Sequence, residues 1–526
     1  AGGDFRDSPN TSTILGAAKV TGQLGGGWQL GTVAALTDDE TARVFDLETG
    51  TVEEVEVEPR TGYGALRIQR QFGVDASTVG LTLTGVERGV EAGGALAGIL
   101  TRRAYAGGID WNRRFDGGAY ELMGHVGFSH VRGDSAAIDR LQRSSVHYFQ
   151  RPDQDHVDVD PGARSLSGWS AAIRGGKRSG TWRFNGGTWI DSPGFDINDL
   201  GRLSRGDEIN QWGGLRYVET DPGRLFRRWV VGAFTDTGWN FDGVRRRTNG
   251  GVYFNYTLPN FWHGWIDHGR NFGGQSDTAT RGGPLMERPA GWWVGFGIRG
   301  NPNASTGWGF RTFGRRDELG SWTWRVDPEV TVRPTDRLTL SLEPRWVLRR
   351  DARQFVTAVD GGPARTFGRR YVFGEIERSE VAAPVRVNYA FTPDLGLEFY
   401  AEPFAASGRY SGIGELAAPR SSDLIVYGEA AGTAIAPDPA GERFAVTADG
   451  DAFTIPDPDF EALSFRSNLV LRWEYRPGSS LFLVWQQNRS RAGSDADRVG
   501  GGELLDAFSA DGENVLAVKL TWWMTP

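Results

Sequence analysis

The stretch "RLTLSLEPRWVLRR", residues 337–350, alternates in polarity with a period of two. Leucines and Trp346 occupy one set of positions, and arginine, threonine, serine and glutamate occupy the other. Successive side chains of a β-strand point to opposite faces of a sheet. The stretch therefore predicts a strand with one apolar face and one charged face.

The same alternation recurs along most of the chain. Clear examples are "SWTWRVDPEVTVR" (321–333), "PVRVNYAF" (384–391), "NLVLRWEYR" (468–476) and "NVLAVKLTWWMTP" (514–526). Helical periodicity over long segments is missing, and 75 glycines are too many for a chain rich in helices. The sequence predicts an all-β protein with long strands.

Short and long connections alternate between these strands. Short links such as "DGG" (116–118), "RPTD" (333–336) and "RPGS" (476–479) have the composition of tight turns. This rhythm is typical of a transmembrane β-barrel with short periplasmic turns and long extracellular loops. The predicted long loops lie near 37–60, 132–163, 192–209, 274–290, 349–366, 408–463 and 490–513.

Composition limits the classes of protein that the chain can represent. The 58 basic and 66 acidic residues give a net charge of −8, which excludes a basic nucleic-acid-binding protein. No run approaches the roughly 18 apolar residues of a membrane-spanning helix. Cysteine is absent, so disulfides, thiolate metal sites and cysteine nucleophiles are excluded. The mean hydropathy of −0.41 suits a barrel, whose polar lumen and loops outweigh its lipid-facing band.

We predict a single antiparallel transmembrane β-barrel over residues 1–526, in the outer membrane of a Gram-negative-type bacterium. We expect about 22 strands, within a range of about 20 to 26. Counting backwards from the last strand places the start of the chain on the outer side. We therefore expect one or more strands upstream of residue 1, in a longer precursor, or a short strand within residues 1–10. A soluble glycan-binding β-protein is the alternative fold.

The wall of such a barrel has a lumenal and a lipid-facing side. The carboxylates Glu329, Glu343 and Glu474 are expected to pair with Arg325, Arg345 and Arg472 inside the lumen. The full set of predicted lumen-lining residues is Arg325, Asp327, Glu329, Glu343, Arg345, Arg386, Arg472 and Glu474. The predicted membrane-interface aromatics are Trp292, Trp293, Trp322, Trp346, Trp522 and Trp523.

Two long loops carry candidate binding chemistry. In "DQDHVDVDPG" (153–162), four carboxylates form a candidate structural calcium site, the only cofactor site predicted, and a solvated acidic loop is the alternative. Its ligands would be Asp153, Asp155, Asp158 and Asp160. The second loop, "SPGFDINDLGRLSRGDEIN" (192–210), either caps or enters the lumen, or has a structural role alone.

No catalytic constellation is visible, so no catalytic residues are predicted and the chain is not expected to be an enzyme. A G-x-S-x-G nucleophile elbow is absent. The six histidines are interpreted as solvated loop or lumen residues. Pairs such as His125 and His130 are five residues apart, which places them on opposite faces of a strand.

Several longer phrases resemble the DUF5916 family of outer-membrane proteins. They are "TSTILGAAKVTG" (11–22), "YFQRPD" (148–153), "SPGFDINDLG" (192–201), "TRGGPLM" (280–286) and "SNLVLRWEYRPGSSLFLVW" (467–485). The resemblance covers essentially the whole chain and implies the C-terminal barrel region of the family. It also implies an upstream segment with a carbohydrate-binding family 9-like domain and the first part of the barrel, which this sequence lacks. The resemblance implies no catalytic residues.

Three functions follow from this prediction. The first is a porin-like pore or partner-gated channel that transports polar solutes such as glycans or oligopeptides, with lumenal arginine and glutamate setting selectivity. The second is a plugged barrel that serves as a scaffold or subunit of a cell-envelope complex. The third and least favoured is a surface glycan-binding protein or enzyme. The expected partners are the lipid bilayer, other envelope proteins, the upstream segment and a polar solute or glycan, but not nucleic acid.

Overall fold

A computed structural model describes residues 4–9, 11–438, 443–494 and 496–523. This part of the chain is all-β with large antiparallel sheets, as predicted. None of its helices is long and apolar enough to cross a membrane.

The described residues of the first half of the chain form seventeen strands and one α-helix. The strands are β1 (Phe5–Asp7), β2 (Ile14–Leu24), β3 (Trp28–Thr37), β4 (Glu40–Asp46), β5 (Thr51–Glu58), β6 (Thr61–Phe72), β7 (Ser77–Arg88), β8 (Arg103–Phe115), β9 (Tyr120–Arg132), β10 (Ser165–Lys177), β11 (Trp182–Asp191), β12 (Glu208–Glu219), β13 (Arg228–Trp239), β14 (Arg245–Thr257), β15 (His263–Asn271), β16 (Gly274–Ser276) and β17 (Met286–Arg288). The helix is α1 (Ser135–Gln142), and a 3-10 turn covers Gly25–Gly27.

The described part of the second half forms fifteen strands and one further α-helix. The strands are β18 (Gly291–Arg299), β19 (Thr306–Asp317), β20 (Trp322–Thr335), β21 (Leu338–Leu342), β22 (Arg345–Asp360), β23 (Arg369–Ala382), β24 (Val385–Thr392), β25 (Leu395–Leu416), β26 (Leu424–Val426), β27 (Ala434–Pro437), β28 (Arg443–Ala448), β29 (Asp451–Pro456), β30 (Phe460–Arg476), β31 (Ser479–Gly493) and β32 (Gly512–Thr521). The helix is α2 (Gly501–Asp506), and 3-10 turns cover Ala364–Thr366 and Ala507–Ser509.

The chain divides into two compact units. Unit 1 comprises Ala1–Arg216, Phe234–Thr248 and Gly274–Met286, and unit 2 comprises Tyr217–Ala233, Asn249–Gly273 and Glu287–Pro526. In unit 1, strands β2, β3 and β6 to β11 pair successively and antiparallel. In unit 2, antiparallel pairing runs from β14 through β15, β18, β19 and β20 to β25, and then through β30 and β31 to β32.

The strand that the sequence predicts over residues 337–350 is interrupted once in the structure. The strand is split into β21 and β22 at Glu343 and Pro344, and both parts lie beside β20 in one continuous register. The neighbouring pair β23 and β24 is split at Ala383 and Pro384, and the Glu343 amide donates to the Pro384 carbonyl at 3.0 Å. Proline lacks an amide hydrogen, so each one removes a hydrogen bond from the ladder without changing the register.

The number of long strands agrees with the predicted range. Nine strands are short, namely β1, β4, β5, β16, β17 and β26 to β29. Without them, and with each proline-interrupted pair counted once, 21 long strands remain among the described residues. The expected short strand within residues 1–10 is present as β1, which pairs with β4 in a separate three-stranded sheet.

The predicted loops hold more regular structure than their polarity indicated. The region 37–60 contains the β4–β5 hairpin, 132–163 contains α1, and 408–463 contains the β27–β29 sheet. The predicted loop 349–366 is wrong for most of its length, because β22 continues to Asp360. Charged residues obscured the alternation there, although ladder hydrogen bonds with β23 hold the segment extended.

The long strands carry exposed apolar side chains on one face. In unit 2, Val326 and Trp346 lie directly opposite each other, as do Trp324 and Leu348. Trp324 is 50% exposed and Trp346 is 45% exposed. In unit 1, Ile109 lies opposite Val126, and each is 54% exposed. In each unit, this exposed surface is called the apolar face of that unit below.

A helical segment covers part of the apolar face of unit 2. Residues 499–509, which include α2, lie over β23, β25 and β30. Val499 and Ala507 are buried there against Val381 and Leu463. The sheet residues beneath this segment are small, and one of them, Ser379, accepts a hydrogen bond through its Oγ from the Val499 amide at 2.9 Å. The long connection predicted at 490–513 therefore folds back onto the sheet.

Candidate functional site

Four connecting segments of unit 1 pack together beside the ends of β9 to β14. They are residues 144–160, 192–210, 240–247 and 274–286, and they are called the loop cluster below. Buried polar and charged side chains hold these segments to one another. The loop cluster is the candidate functional site, because long ordered loops carry the function of many β-proteins.

A buried histidine–aspartate pair joins the first two segments. The His147 side chain is fully buried, and its Nε2 lies 3.0 Å from Asp196 Oδ2. His147 Nδ1 lies 2.8 Å from the Pro193 carbonyl oxygen. Both ring nitrogens therefore lie within hydrogen-bond distance of an oxygen atom. The prediction that His147 is solvated is wrong, because the packing of two distant loops encloses it.

A second histidine lies between two carboxylates. His156 Nε2 is 3.0 Å from Asp207 Oδ2, and His156 Nδ1 is 3.8 Å from Asp242 Oδ1. Asp207 Oδ1 also accepts the Phe241 amide at 2.9 Å. His156, too, was predicted as solvated, but its side chain is only 14% exposed.

Hydrogen bonds shift the titration of the two buried carboxyls that face these histidines. Burial by itself raises the pKa of Asp196 and of Asp207. The histidine partner and a backbone amide outweigh burial, so the pKa of each carboxyl lies below its ordinary value. Both carboxylates are therefore charged at neutral pH and contribute to the stability of the loop cluster.

Arginine–carboxylate pairs extend the network to the segment 274–286. Asp277 lies 3.4 Å from Arg151 Nη1 and also pairs with Arg205. The Arg151 and Asp277 side chains are each only 2% exposed. Arg246 Nη2 pairs with Glu208 Oε1 at 2.6 Å. A buried pair is costly to break, because removing one partner leaves the other charge without compensation.

Three of the phrases that resemble DUF5916 meet in this cluster. Asp153 Oδ2, from 148–153, accepts the Leu285 amide of 280–286 at 2.7 Å. Gly282 has a φ of 94°, and a Cβ there would lie 2.3 Å from Gln150 Nε2. The phrase 192–201 joins through Asp196. The sequence alone does not reveal that these phrases are in contact, because Asp153 and Leu285 are 132 residues apart along the chain.

Glycines set the distance between the loop cluster and strand β10. A Cβ on Gly168 would lie 2.1 Å from the Phe195 amide nitrogen and 2.4 Å from the Gly194 carbonyl carbon. A Cβ on Gly194 would lie 2.4 Å from the Ser167 carbonyl oxygen. The segment 192–197 therefore lies against the strand at a separation that a side chain at either glycine would prevent.

The arrangement does not resemble a catalytic triad or a metal site. The second nitrogen of His147 faces a carbonyl oxygen instead of a serine hydroxyl. Among the described residues, no three His, Cys, Asp or Glu side chains are grouped to hold a metal ion. Of the predicted calcium ligands, Asp153 binds the Leu285 amide, Asp160 Oδ1 accepts the Gly162 amide, and Asp155 and Asp158 are exposed. The four carboxylates are therefore not brought together.

The predicted lumen-lining residues share the face opposite the apolar face of unit 2. Asp327 accepts Arg325 Nε at 2.7 Å and Arg345 Nε at 3.0 Å. Arg472 and Glu474 pair at 3.3 Å, as expected. Glu329 pairs with Arg299 instead of Arg325.

Two further predicted lumen residues have other contacts. The Arg386 guanidinium lies 4.5 Å from the centre of the Tyr400 ring. The Glu343 amide is bonded to Pro384. The expected pairing of Glu343 with Arg345 does not form, because Arg345 reaches the residue directly opposite it on β20, Asp327.

Most of the predicted interface tryptophans lie at exposed positions. Trp292, Trp346, Trp522 and Trp523 are between 44% and 64% exposed, and Trp322 is half-buried on the same face as Trp292. Trp293 differs, because it follows Trp292 directly in β18 and so points to the opposite face. Its Nε1 donates to Asp267 Oδ2 at 3.0 Å.

The fold and its packed loop cluster define a class of large antiparallel β-proteins with an exposed apolar face. The family model described as a domain of unknown function, DUF5916, matches residues 2–525. The chain belongs to this family. A search of curated proteins found no match.

We expect the Asp196→Asn substitution to loosen the loop cluster. It removes the buried carboxylate that faces His147 Nε2, at a cost of about 1–3 kcal/mol. Hydrogen exchange of the amides in 144–150 and 192–200 should increase, while exchange in β6 and β7 stays unchanged. Asp139→Asn is the matched control, because it removes the carboxylate of an exposed pair with Arg143. Equal protection in the two variants would contradict a role for the pair.

Acid should weaken the same cluster. The pKa values of Asp196 and Asp207 are lowered in the folded protein, so their stabilising effect is complete above the ordinary carboxyl pKa of 3.8. It is lost as the pH falls through the lowered values. We expect amide protection in 192–210 to decrease below about pH 4, and to decrease less in Asp196→Asn. A loss of protection centred near neutral pH would contradict this assignment.

We expect the Gly168→Ala substitution to displace the segment 192–197 from β10. The new Cβ would overlap backbone atoms, which cannot move as a side-chain end can. Overpacking of this kind costs about 1–3 kcal/mol. The matched control is Gly64→Ala in β6, where a Cβ would meet nothing within 4 Å. Limited proteolysis within 192–210 should separate the two variants.

Proposed function

We propose that the chain forms the wall of an outer-membrane β-barrel. The observation that supports this most strongly is the apolar face, with large exposed side chains on successive strands of each unit. The opposite face carries paired charges such as Arg67–Asp110 and Arg325–Asp327. A lipid-facing exterior and a wet lumen account for both faces.

Two edge strands place a condition on this proposal. In unit 1, β2 pairs with β3 and all its residues are exposed, and in unit 2, β32 pairs with β31 and nearly all its residues are exposed. Unpaired backbone groups are not tolerated in hydrocarbon. The proposal therefore requires the outer edge of each of these two strands to be paired with a further strand.

Within that barrel, we propose that the loop cluster caps the extracellular mouth and that passage of polar solutes depends on a partner that opens it. The buried pairs of His147 with Asp196 and of Arg151 with Asp277 favour a rigid cap and disfavour a flexible one. Glycans and oligopeptides match the mixed arginine and carboxylate character of the charged face. The proposed location is the outer membrane of a Gram-negative-type bacterium.

A plugged scaffold in a cell-envelope complex is the second candidate. The observation that favours it is the mutual pairing of charges on the opposite face of unit 2, where Asp327 binds two arginines and Glu329 binds Arg299. Paired charges are less available to a passing solute.

Planar-bilayer conductance should distinguish the two candidates. We expect rare openings for the wild type and frequent, larger openings for Asp277→Asn, which removes the shared counter-ion of Arg151 and Arg205. Asp139→Asn should behave as the wild type. If Asp277→Asn inserts into the bilayer without conducting, the gated channel is excluded and the scaffold remains.

Site-specific labelling should test the membrane wall itself. The chain has no cysteine, so Leu483→Cys and Gln486→Cys can each be labelled with one environment-sensitive dye. Both positions in β31 are exposed, but they lie on opposite faces. Brominated acyl chains should quench the dye at 483 strongly and at 486 weakly. Equal quenching at both positions would contradict the proposed orientation.

A further inference from the structure

Arginine and tryptophan alternate across five neighbouring strands of unit 2. Arg270 of β15 lies directly opposite Trp292 of β18, which lies opposite Arg316 of β19. Arg316 in turn lies opposite Trp322 of β20, and Trp322 lies opposite Arg350 of β22. Residues that face each other in antiparallel ladders share a face. These five residues are called the arginine–tryptophan row below.

The row belongs to the apolar face and lies at the strand ends that are joined by residues 272–290 between β15 and β18 and by the short link 318–321 between β19 and β20. Trp324, two residues after Trp322, is on the same face and 50% exposed. Ile266, four residues before Arg270, is also on this face and 46% exposed. The row therefore borders the apolar band at one end of these strands, a position at which tryptophans of membrane barrels meet lipid headgroups.

The arginines of the row differ in their charge partners. Arg350 forms a two-point pair with Glu375, with distances of 2.7 and 2.6 Å. In the part of the chain that the structure describes, neither Arg270 nor Arg316 has a carboxylate within ion-pair distance. The Arg270 guanidinium instead lies 5.8 Å from the centre of the Phe272 ring.

The two unpaired arginines border one cavity of about 630 Å³. Its lining includes Trp292 between them and His268 beside Arg270. Asp317 and Glu318 also line it. The Asp317 Oδ1 atom is occupied by the amides of Leu319 and Ser321, at 3.0 and 2.9 Å. Two guanidinium groups therefore remain available to an incoming anion.

From this geometry, we propose that Arg270, Trp292 and Arg316 form a binding site for a phosphate group carried by an anionic lipid headgroup. Guanidinium groups bind phosphate oxygens through two parallel hydrogen bonds. The arginines are two strands apart, about 10 Å, which is a span that a phosphorylated sugar headgroup can bridge. The tryptophan ring between them suits a position at the boundary of headgroup and hydrocarbon. The inference rests on the proposed membrane location.

The test compares lipid binding by the full chain and two variants. The double variant Arg270→Gln with Arg316→Gln removes both charges. Arg315→Gln is the matched control, because Arg315 is adjacent in β19, faces the opposite side and donates to Thr323 Oγ1 at 3.0 Å. Native mass spectrometry in mild detergent measures retention of diphosphorylated lipid A, with phosphatidylcholine and inorganic phosphate as the other probes.

We expect the wild type and Arg315→Gln to retain one lipid A per chain, and the double variant to bind it at least about tenfold more weakly. Retention of lipid A in millimolar inorganic phosphate supports the lipid headgroup as the source. Displacement by inorganic phosphate supports the phosphate site but assigns it to a free anion. Equal binding by wild type and double variant overturns the proposal, as does an equal loss in Arg315→Gln.

Labelling at position 483 tests the membrane location independently of the phosphate site that rests on it. Quenching at 483 with unchanged lipid A binding in the double variant rejects the phosphate site alone. Absence of quenching at 483 rejects the membrane location, and the phosphate site with it.

Discussion

The structure depends on hydrogen bonds between neighbouring strands that satisfy the backbone within the sheet itself. Because these bonds run in the plane of the sheet, both faces are left to the side chains. One face then carries exposed tryptophan and leucine side chains, and the other carries charged side chains. Proline interrupts the ladder at Pro344 and Pro384, yet the register continues on both sides of the interruption.

The charged face is stabilised by local pairing. Asp327 lies between Arg325 and Arg345, and in unit 1 Arg67 pairs with Asp110 on the neighbouring strands. Side chains that are partly accessible keep some hydration, so such pairs add little net stability. Their main consequence is that they fix side-chain positions along this face of the sheet.

The loop cluster differs from the charged face, because its paired side chains are buried. His147 with Asp196, and Arg151 with Asp277, exclude most water from the contact and allow few alternative arrangements. Buried polar groups are costly unless all are satisfied. Glycines at 168, 194 and 282 supply the close approaches that these pairs require. Long polar loops of this protein are thus ordered surfaces, which suits a cap or a docking platform.

The sequence by itself determined the all-β class, the positions of most long strands, the two faces of those strands and the family. These are local properties, because the period of two and the chemistry of turns act over a few residues. Only the tertiary structure decided that His147 and His156 are buried, that Trp293 donates to Asp267, and that Arg270 and Arg316 face one cavity. Those outcomes depend on which strands are neighbours and in which register they pair. A register set by hydrogen bonds across the sheet brings together residues whose separation along the chain carries no signal.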